Sequence, residues 1–391
     1  MKLVFVTEAR FIKDSQGNIF GDSSFNFELW KRYLNSFSEV IVMARVHENS
    51  NYVGKENCLA SGKNVSFIEL PHFVGPLQYL KKRNAIKSQI KKNVNVISGV
   101  FICRVPGTIG NLTIKYLKQK DIPFGIEVVG DPWDVFAPGS IKHPLRFYFR
   151  WKSYLDLKRN AFNASAALYV TKNKLQKRYP VKSSKFSIAA SNVKIEDELV
   201  EKYPKTHIIK ERFSLISIGS LEQMYKAPDV VLNALKHLND NGFLCNLVWL
   251  GDGIYKEKME DLAKELGIFD LVDFKGNVDA NEVRKHLLDA DLFVLASRTE
   301  GLPRAIIEAM TVGLPCVGTE VGGIPELLEE EVLIPKDNIK ALSEKIKSLI
   351  LNPTIYDQQA KRNLIESSNY KESILKVKRE TFYNYLISLN S

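Results

Sequence analysis

The chain has 391 residues, 45% hydrophobic and 26% charged, which suits two folded domains and excludes a disordered polymer. No uninterrupted apolar run approaches the roughly 18–20 residues of a membrane span, and residues 1–8 are too short and too soon charged for a secretory signal. The net charge of +10 is uneven: residues 1–205 hold 33 Lys/Arg against 17 Asp/Glu, a net of +16, while residues 206–391 hold 22 against 28, a net of −6, so the first half is expected to face something anionic.

In chain order, bounded apolar runs at 3–7, 39–44, 65–69, 99–103 and 124–129 read as buried strands, with helices at 25–37 and 108–120 between them. Gly17-Asn18-Ile19-Phe20-Gly21 follows the first strand. Glycines there let backbone come close to a phosphate or sugar, and a plain flexible loop is the competing reading. Asp131, before Pro132 at the end of the strand at 124–129, is a polar candidate for the site or a turn cap. Two basic stretches stand out. Residues 77–92 carry Lys81, Lys82, Arg83, Lys87, Lys91 and Lys92 without an acid, with Leu80, Ile86 and Ile90 for apolar contact. Residues 142–160 mix Arg146, Arg150, Lys152, Lys158 and Arg159 with Phe147, Tyr148, Phe149, Trp151 and Tyr154. Such mixtures suit an anionic membrane face or nucleic acid; a solvated charged face over core aromatics is the alternative.

The strand–helix rhythm restarts at 213–219 and continues through helix 229–239, strand 246–250, helix 255–266, strand 272–275, helix 281–288 and strand 292–296. Two doubly wound α/β halves are therefore expected, joined within 195–212. Cys58, Cys103, Cys245 and Cys316 are scattered with no C-x-x-C; they fit reduced thiols in a cytosolic protein and suggest no metal site.

The most specific stretch is Glu300-Gly301-Leu302-Pro303-Arg304-Ala305-Ile306-Ile307-Glu308-Ala309-Met310. Glu300 is expected in the loop at the carboxyl end of strand 292–296, and Glu308 about a turn into a helix that Pro303 opens. Ligands of open α/β sheets bind at this edge, where helix N-termini aim N–H groups at anions. Together with Gly313-Leu314-Pro315 and Gly322-Gly323-Ile324-Pro325-Glu326 downstream, the stretch resembles the nucleotide-sugar site of retaining glycosyltransferases of family 4, the glycosyl transferases group 1.

That resemblance implies a GT-B fold: two Rossmann-like domains facing a cleft, with a C-terminal helix, within 370–389, crossing back to the first domain. The domains are expected at 1–205 plus 373–391, on the acceptor side, and at 206–372, on the donor side. It implies a metal-independent, retaining hexosyltransferase that needs no cofactor and takes a nucleotide sugar as substrate. Glu300 would orient the donor sugar, Glu308 hold the ribose, and Lys226 with Gly301, Leu302, Pro303 and Arg304 hold the diphosphate. Asn277 and Val278 would border the base, Gly21 would belong to the N-terminal glycine loop, and Asp131 would stand where relatives carry an acceptor-side His. The chain departs from the pattern at Ser220, where the family usually has Arg, and at Ala227, where it usually has Gly. The expected acceptor is a lipid-linked saccharide of surface polysaccharide or capsule biosynthesis. The protein is expected to be cytoplasmic and peripheral on an anionic membrane, with no nucleic acid partner. The competing readings are a non-catalytic nucleotide-sugar or nucleic-acid binding protein and a GT-B sugar-nucleotide epimerase.

Overall fold

The computed structural model describes residues 1–22, 24–137 and 144–390. The chain divides into two compact units: Met1–Gly130 with Trp151–Ala190 and Lys376–Ser391, and Asp131–Arg150 with Ser191–Leu375. The expected division at 205/206 is displaced, because residues 191–205 are bonded into the second unit: Glu201 N–H donates to Thr311 O at 2.8 Å, and Glu372 N–H to Ile195 O at 2.8 Å.

The first unit holds strands β1 (Lys2–Lys13), β2 (Ile19–Phe20), β3 (Glu39–Glu48), β4 (Val65–Pro71), β5 (Val100–Val105), β6 (Phe124–Val128), β7 (Ala166–Tyr169) and β8 (Phe186–Ala189). They pair in the order β4-β3-β1-β5-β6-β7-β8, all parallel, with β2 antiparallel on β1. Helices α1 (Phe27–Leu34), α2 (Gly75–Val96) and α3 (Thr108–Gln119) connect them; next in the chain come α4 (Pro132–Val135), which counts with the second unit, α5 (Arg146–Asn163), which counts with the first from Trp151 on, and α6 (Lys174–Arg178) of the first. Leu3, Val4, Phe5 and Val6 are fully buried, as expected of a strand covered on both faces.

β1 runs past the expected end at residue 7. After an irregularity between Val6 and Arg10 it pairs on with β3 through Lys13. It then turns back as β2, with Ile12 opposite Phe20 and Lys13 opposite Ile19. The Asp14 carboxylate closes the turn by accepting from Gln16 N–H and Asn18 N–H. The segment 17–21 is thus a hairpin and not an open glycine loop.

The last helix, α13 in this chain, spans Glu372–Ser388, and from Lys376 on it counts with the first unit. Tyr383 packs against Tyr33 with ring centroids 5.3 Å apart, and Tyr385 stacks on Phe186 at 4.9 Å. Gly125 on β6 admits it closely, since a Cβ there would lie 2.4 Å from Leu386 Cδ1.

The second unit holds β9 (Phe213–Ile218), β10 (Cys245–Leu250), β11 (Val272–Gly276), β12 (Leu292–Leu295), β13 (Cys316–Thr319) and β14 (Leu333–Ile334), parallel in the order β11-β10-β9-β12-β13-β14. Between and after them lie α7 (Pro228–Asp240), α8 (Lys256–Glu265), α9 (Ala280–Asp289), α10 (Arg304–Thr311), α11 (Ile339–Leu351) and α12 (Pro353–Ser367). The chain winds outward from β9 to β11 and then resumes on the other side of β9 with β12. The carboxyl ends of β9 and β12 therefore flank the switch point where open α/β sheets bind ligands.

Candidate functional site

Two loops meet at that switch point. One follows β9 and runs from Gly219 to Ala227; the other follows β12 and runs from Ala296 to Pro303. At their contact Lys226 Nζ lies 2.5 Å from Glu300 Oε1, and Ser297 Oγ donates to the same oxygen at 2.7 Å. Both charged side chains are about nine-tenths buried, at 11% and 8% exposure. Burial pulls the Lys226 ammonium down, but the Glu300 carboxylate and Tyr225 outweigh it, so its pKa stands above the ordinary value and it stays charged.

The surrounding backbone holds this pair. Gly219 makes room for the lysine stem, because a Cβ there would lie 2.7 Å from Lys226 Cγ. Ala227 adopts the left-handed region at φ 51°, ψ 49° and hands the chain to Pro228 at the first turn of α7. Left-handed backbone favours glycine, which accounts for the usual Lys-Gly of the resembled motif and makes Ala227 a mildly strained substitute. On the other loop, Gly322 at φ +56° lies so close that a Cβ would be 2.1 Å from Glu300 O, and Gly323 N–H donates to Gly301 O at 2.6 Å.

Arg298 ties the two loops together, and sequence reasoning missed it. Its N–H donates to Tyr225 O at 2.7 Å; its guanidinium donates to Met224 O at 2.7 Å, to both Asp229 oxygens at 3.0 and 2.7 Å, and to Asp337 at 2.6 Å. Asp229 and Asp337 come from elements 69 and 39 residues away, so no local spacing signals the cluster.

Glu308 lies in the second turn of α10, half-buried. Burial pushes its carboxyl up from the ordinary value, and Arg304 and Lys226 offset part of that rise. Its carboxylate has no hydrogen bond or ion pair among the described residues. The same holds for the guanidinium of Arg304, which is exposed at the start of α10. No side chain caps this helix; its N-cap is Pro303. Gly301 and Leu302 lead into it. Free N–H groups, Arg304 and Glu308 thus stand within a turn or two of the Lys226–Glu300 pair.

Ser220 is exposed and fills a turn role: its hydroxyl accepts from Glu222 N–H at 3.2 Å and approaches Asp252 O at 3.4 Å. It brings no charge. Asn277 and Val278 follow Gly276, whose carbonyl accepts from Gly251 N–H at 2.8 Å, so the β10 and β11 loops are joined. Gly253 in turn sits on the β9 loop, where a Cβ would lie 2.1 Å from Glu222 N.

Two further expected residues come from earlier in the chain. Gly21 belongs to the first unit, directly after β2, and its N–H donates to Cys58 O at 2.9 Å. Asp131 is buried as the N-cap of α4, its carboxylate accepting from Trp133 N–H at 3.0 Å.

The basic stretches also resolve. Ile86 and Ile90 seat α2, whereas Leu80 is 61% exposed beside Lys81, Lys82 and Arg83. On α5, Tyr148, Trp151, Leu155 and Phe162 are exposed and fall on one stripe at helical spacing; the neighbouring Phe147 is exposed too. Core packing therefore does not account for these side chains. Lys142 lies outside the described residues. No helix among the described residues is long and apolar enough to cross a membrane.

Residues 200–368 match the family described as Glycosyl transferases group 1. Protein CapJ of Staphylococcus aureus is 29% identical over 402 residues, covering 100% of this chain and 97% of its own length. Among solved structures, the chain resembles Anabaena HepE in complex with UDP-glucose, with a TM-score of 0.66 at 13% identity over 100% of both chains. It also resembles WaaG, a glycosyltransferase involved in lipopolysaccharide biosynthesis, with a TM-score of 0.65 at 16% identity over 97% of this chain and 98% of the other. Residues 200–368 thus match the glycosyl transferases group 1 model, within a chain of two α/β units whose fold is like that of these GT-B-like solved neighbours.

Proposed function

We propose that this protein is a retaining, metal-independent hexosyltransferase that moves a sugar from a nucleotide diphosphate donor to a hydroxyl acceptor. The observation that carries the reading is the buried Lys226–Glu300 pair at the switch point, within the residues that match the glycosyl transferases group 1 family. Glu300 accepts hydrogen bonds from donor-sugar hydroxyls and orients the anomeric carbon. Lys226, Arg304 and the free N–H groups at the start of α10 take up the negative charge that grows on the leaving diphosphate. Glu308, with its carboxylate unengaged, accepts from the ribose hydroxyls, and Asn277 and Val278 border the base. The UDP-glucose held by the structural neighbour HepE supports a nucleotide sugar as donor.

The acceptor we propose is a lipid-linked saccharide of surface polysaccharide or capsule biosynthesis, reached from the cytoplasmic face of an anionic membrane. The exposed stripe Tyr148, Trp151, Leu155 and Phe162, flanked by Lys152, Lys158 and Arg159, and the acid-free cations of α2 support that docking. Interfacial aromatics and basic side chains act together at such a surface, each cation adding about 1 kcal/mol. In a flotation assay the protein rises with phosphatidylglycerol vesicles at low salt and not at high salt; failure to rise at low salt would remove the membrane from the account.

The catalytic reading is tested by incubating purified protein with a panel of nucleotide sugars. Slow release of nucleoside diphosphate, and transfer to an acceptor with the anomeric configuration kept by NMR, is the expected result. A second reading, non-catalytic nucleotide-sugar binding, is favoured by the uncharged, turn-bound Ser220. Tight binding without hydrolysis or transfer would select it.

A further inference from the structure

The first unit carries a cationic face that the donor reading does not use. Side chains alternate between the two faces of a strand, so Arg45 and His47 of β3 share one face. Arg10 of β1 is registered with Arg45, and Pro71 at the end of β4 with Val46, which carries the next residue, His72, to the side of His47. The His47 and His72 rings lie 5.0 Å apart. Lys82 of α2, the helix packed on β4, donates from Nζ to His72 O at 2.6 Å. The strand acids fall on the opposite face: Glu69 pairs with Lys13 at 2.9 Å, and Glu48 lies 4.0 Å from the same lysine. Five basic side chains therefore converge at the carboxyl ends of parallel strands while the acids are turned away.

The group is also incomplete. Arg45 is 8% exposed. Its guanidinium donates to Phe73 O at 2.9 Å and to Glu8 O, and lies 3.6 Å from the Glu8 carboxylate, yet its Nε has no hydrogen-bond partner among the described residues. Glu8 is itself engaged, accepting from Ile109 N–H at 2.9 Å. Arg10 has no hydrogen bond or ion pair among the described residues. A buried donor left unpaired and like charges gathered together both cost stability unless an anion completes them.

We propose that Arg10, Arg45, His47, His72 and Lys82 form a binding site for a phosphate ester or diphosphate. That this phosphate is carried by the acceptor rests on the transferase reading; the phosphate chemistry does not. Planar guanidinium forks and imidazoles match tetrahedral phosphate oxygens, and a diphosphate spans more of the five than a carboxylate does. Burial, together with His47, Arg45, Lys82 and Arg10, holds the His72 imidazole below its ordinary pKa, and a bound phosphate reverses that sign.

The full chain contains six histidines, so their ring signals can be followed by NMR. Inorganic pyrophosphate, a short-chain prenyl diphosphate and phosphatidylglycerol vesicles are added in turn to wild type, to Arg10→Gln/Lys82→Gln and to Lys226→Met. Pyrophosphate or the prenyl diphosphate should shift the His47 and His72 signals and raise the pH at which His72 titrates. Its affinity there should fall at least tenfold in Arg10→Gln/Lys82→Gln and be unchanged in Lys226→Met, whose deficit is confined to nucleoside diphosphate binding. A prenyl diphosphate binding at least tenfold tighter than pyrophosphate identifies a lipid-linked source; equal binding identifies the free anion. Signals that respond to neither phosphate, that move only with vesicles, or that keep their affinity in the double variant overturn the proposal.

Discussion

The carboxyl edges of the two sheets handle charge in opposite ways. In the second unit, Lys226 is matched to Glu300, and Arg298 to Asp229 and Asp337. In the first, the strand acids face away and Arg10, Arg45, His47, His72 and Lys82 gather with, among the described residues, only Glu8 against them. A matched site is rigid before its ligand arrives, and its contribution is preorganisation. An unmatched site is stabilised by its ligand, and its contribution is affinity. Substitutions in the two regions should therefore fail in different ways.

The largest expected effect is on rate. If Lys226 is the fixed cation on the leaving diphosphate, as proposed, Lys226→Met should lower transfer by roughly 10²–10³-fold, about 2.7–4 kcal/mol of barrier. Full activity in a folded variant would take Lys226 out of the mechanism. Next comes stability in the matched region. Arg298→Gln leaves Asp229 and Asp337 without their partner and frees the Lys226 loop, a cost of about 2 kcal/mol in urea unfolding. An unchanged midpoint would show that the network is ornamental.

Glu308→Gln sharpens the contrast, because its two effects have opposite signs. The folded-state pKa of Glu308 lies above its unfolded value, so its contribution to stability is greatest in acid, where it is protonated in both states, and is lost as pH rises through the folded-state value. The Gln variant should accordingly melt higher than wild type at neutral pH, with the difference closing in acid. It should also bind nucleoside diphosphate about tenfold more weakly, ~1.4 kcal/mol. Equal melting at both pH values would contradict the burial argument, and unchanged affinity the ribose assignment. The smallest effect belongs to the unmatched face. Arg10→Gln should shift stability by no more than about 0.5 kcal/mol, toward stabilisation at low salt, because it removes a repelled charge. A clear loss would mean that Arg10 has a structural partner.

Much of the second unit was legible in the sequence. The strand at 292–296, the loop at Glu300 and the helix carrying Glu308 follow from one bounded apolar run, one proline and the motif after it. Lys226 followed from the resemblance, while its ion pair with Glu300 did not, since 74 residues separate them. Arg298 was invisible for the same reason. In the first unit, the expected strand end at residue 7 and the expected glycine loop both failed on one feature. Arg10 and Lys13 look like a break in an apolar run, yet β1 passes through them and turns back at the Asp14 cap. Asp131 was open between a site residue and a cap, and the structure makes it a cap. The cationic face depends on strand register, which no single-sequence pattern fixes.

The most direct test of the central claim is calorimetry of nucleoside diphosphate and nucleoside monophosphate binding to wild type and Lys226→Met. If Lys226 holds the donor diphosphate, the substitution weakens the diphosphate by at least tenfold and leaves the monophosphate unchanged. Equal affinities for both nucleotides in the two proteins would contradict the assignment and, with it, the donor site at the β9–β12 switch point.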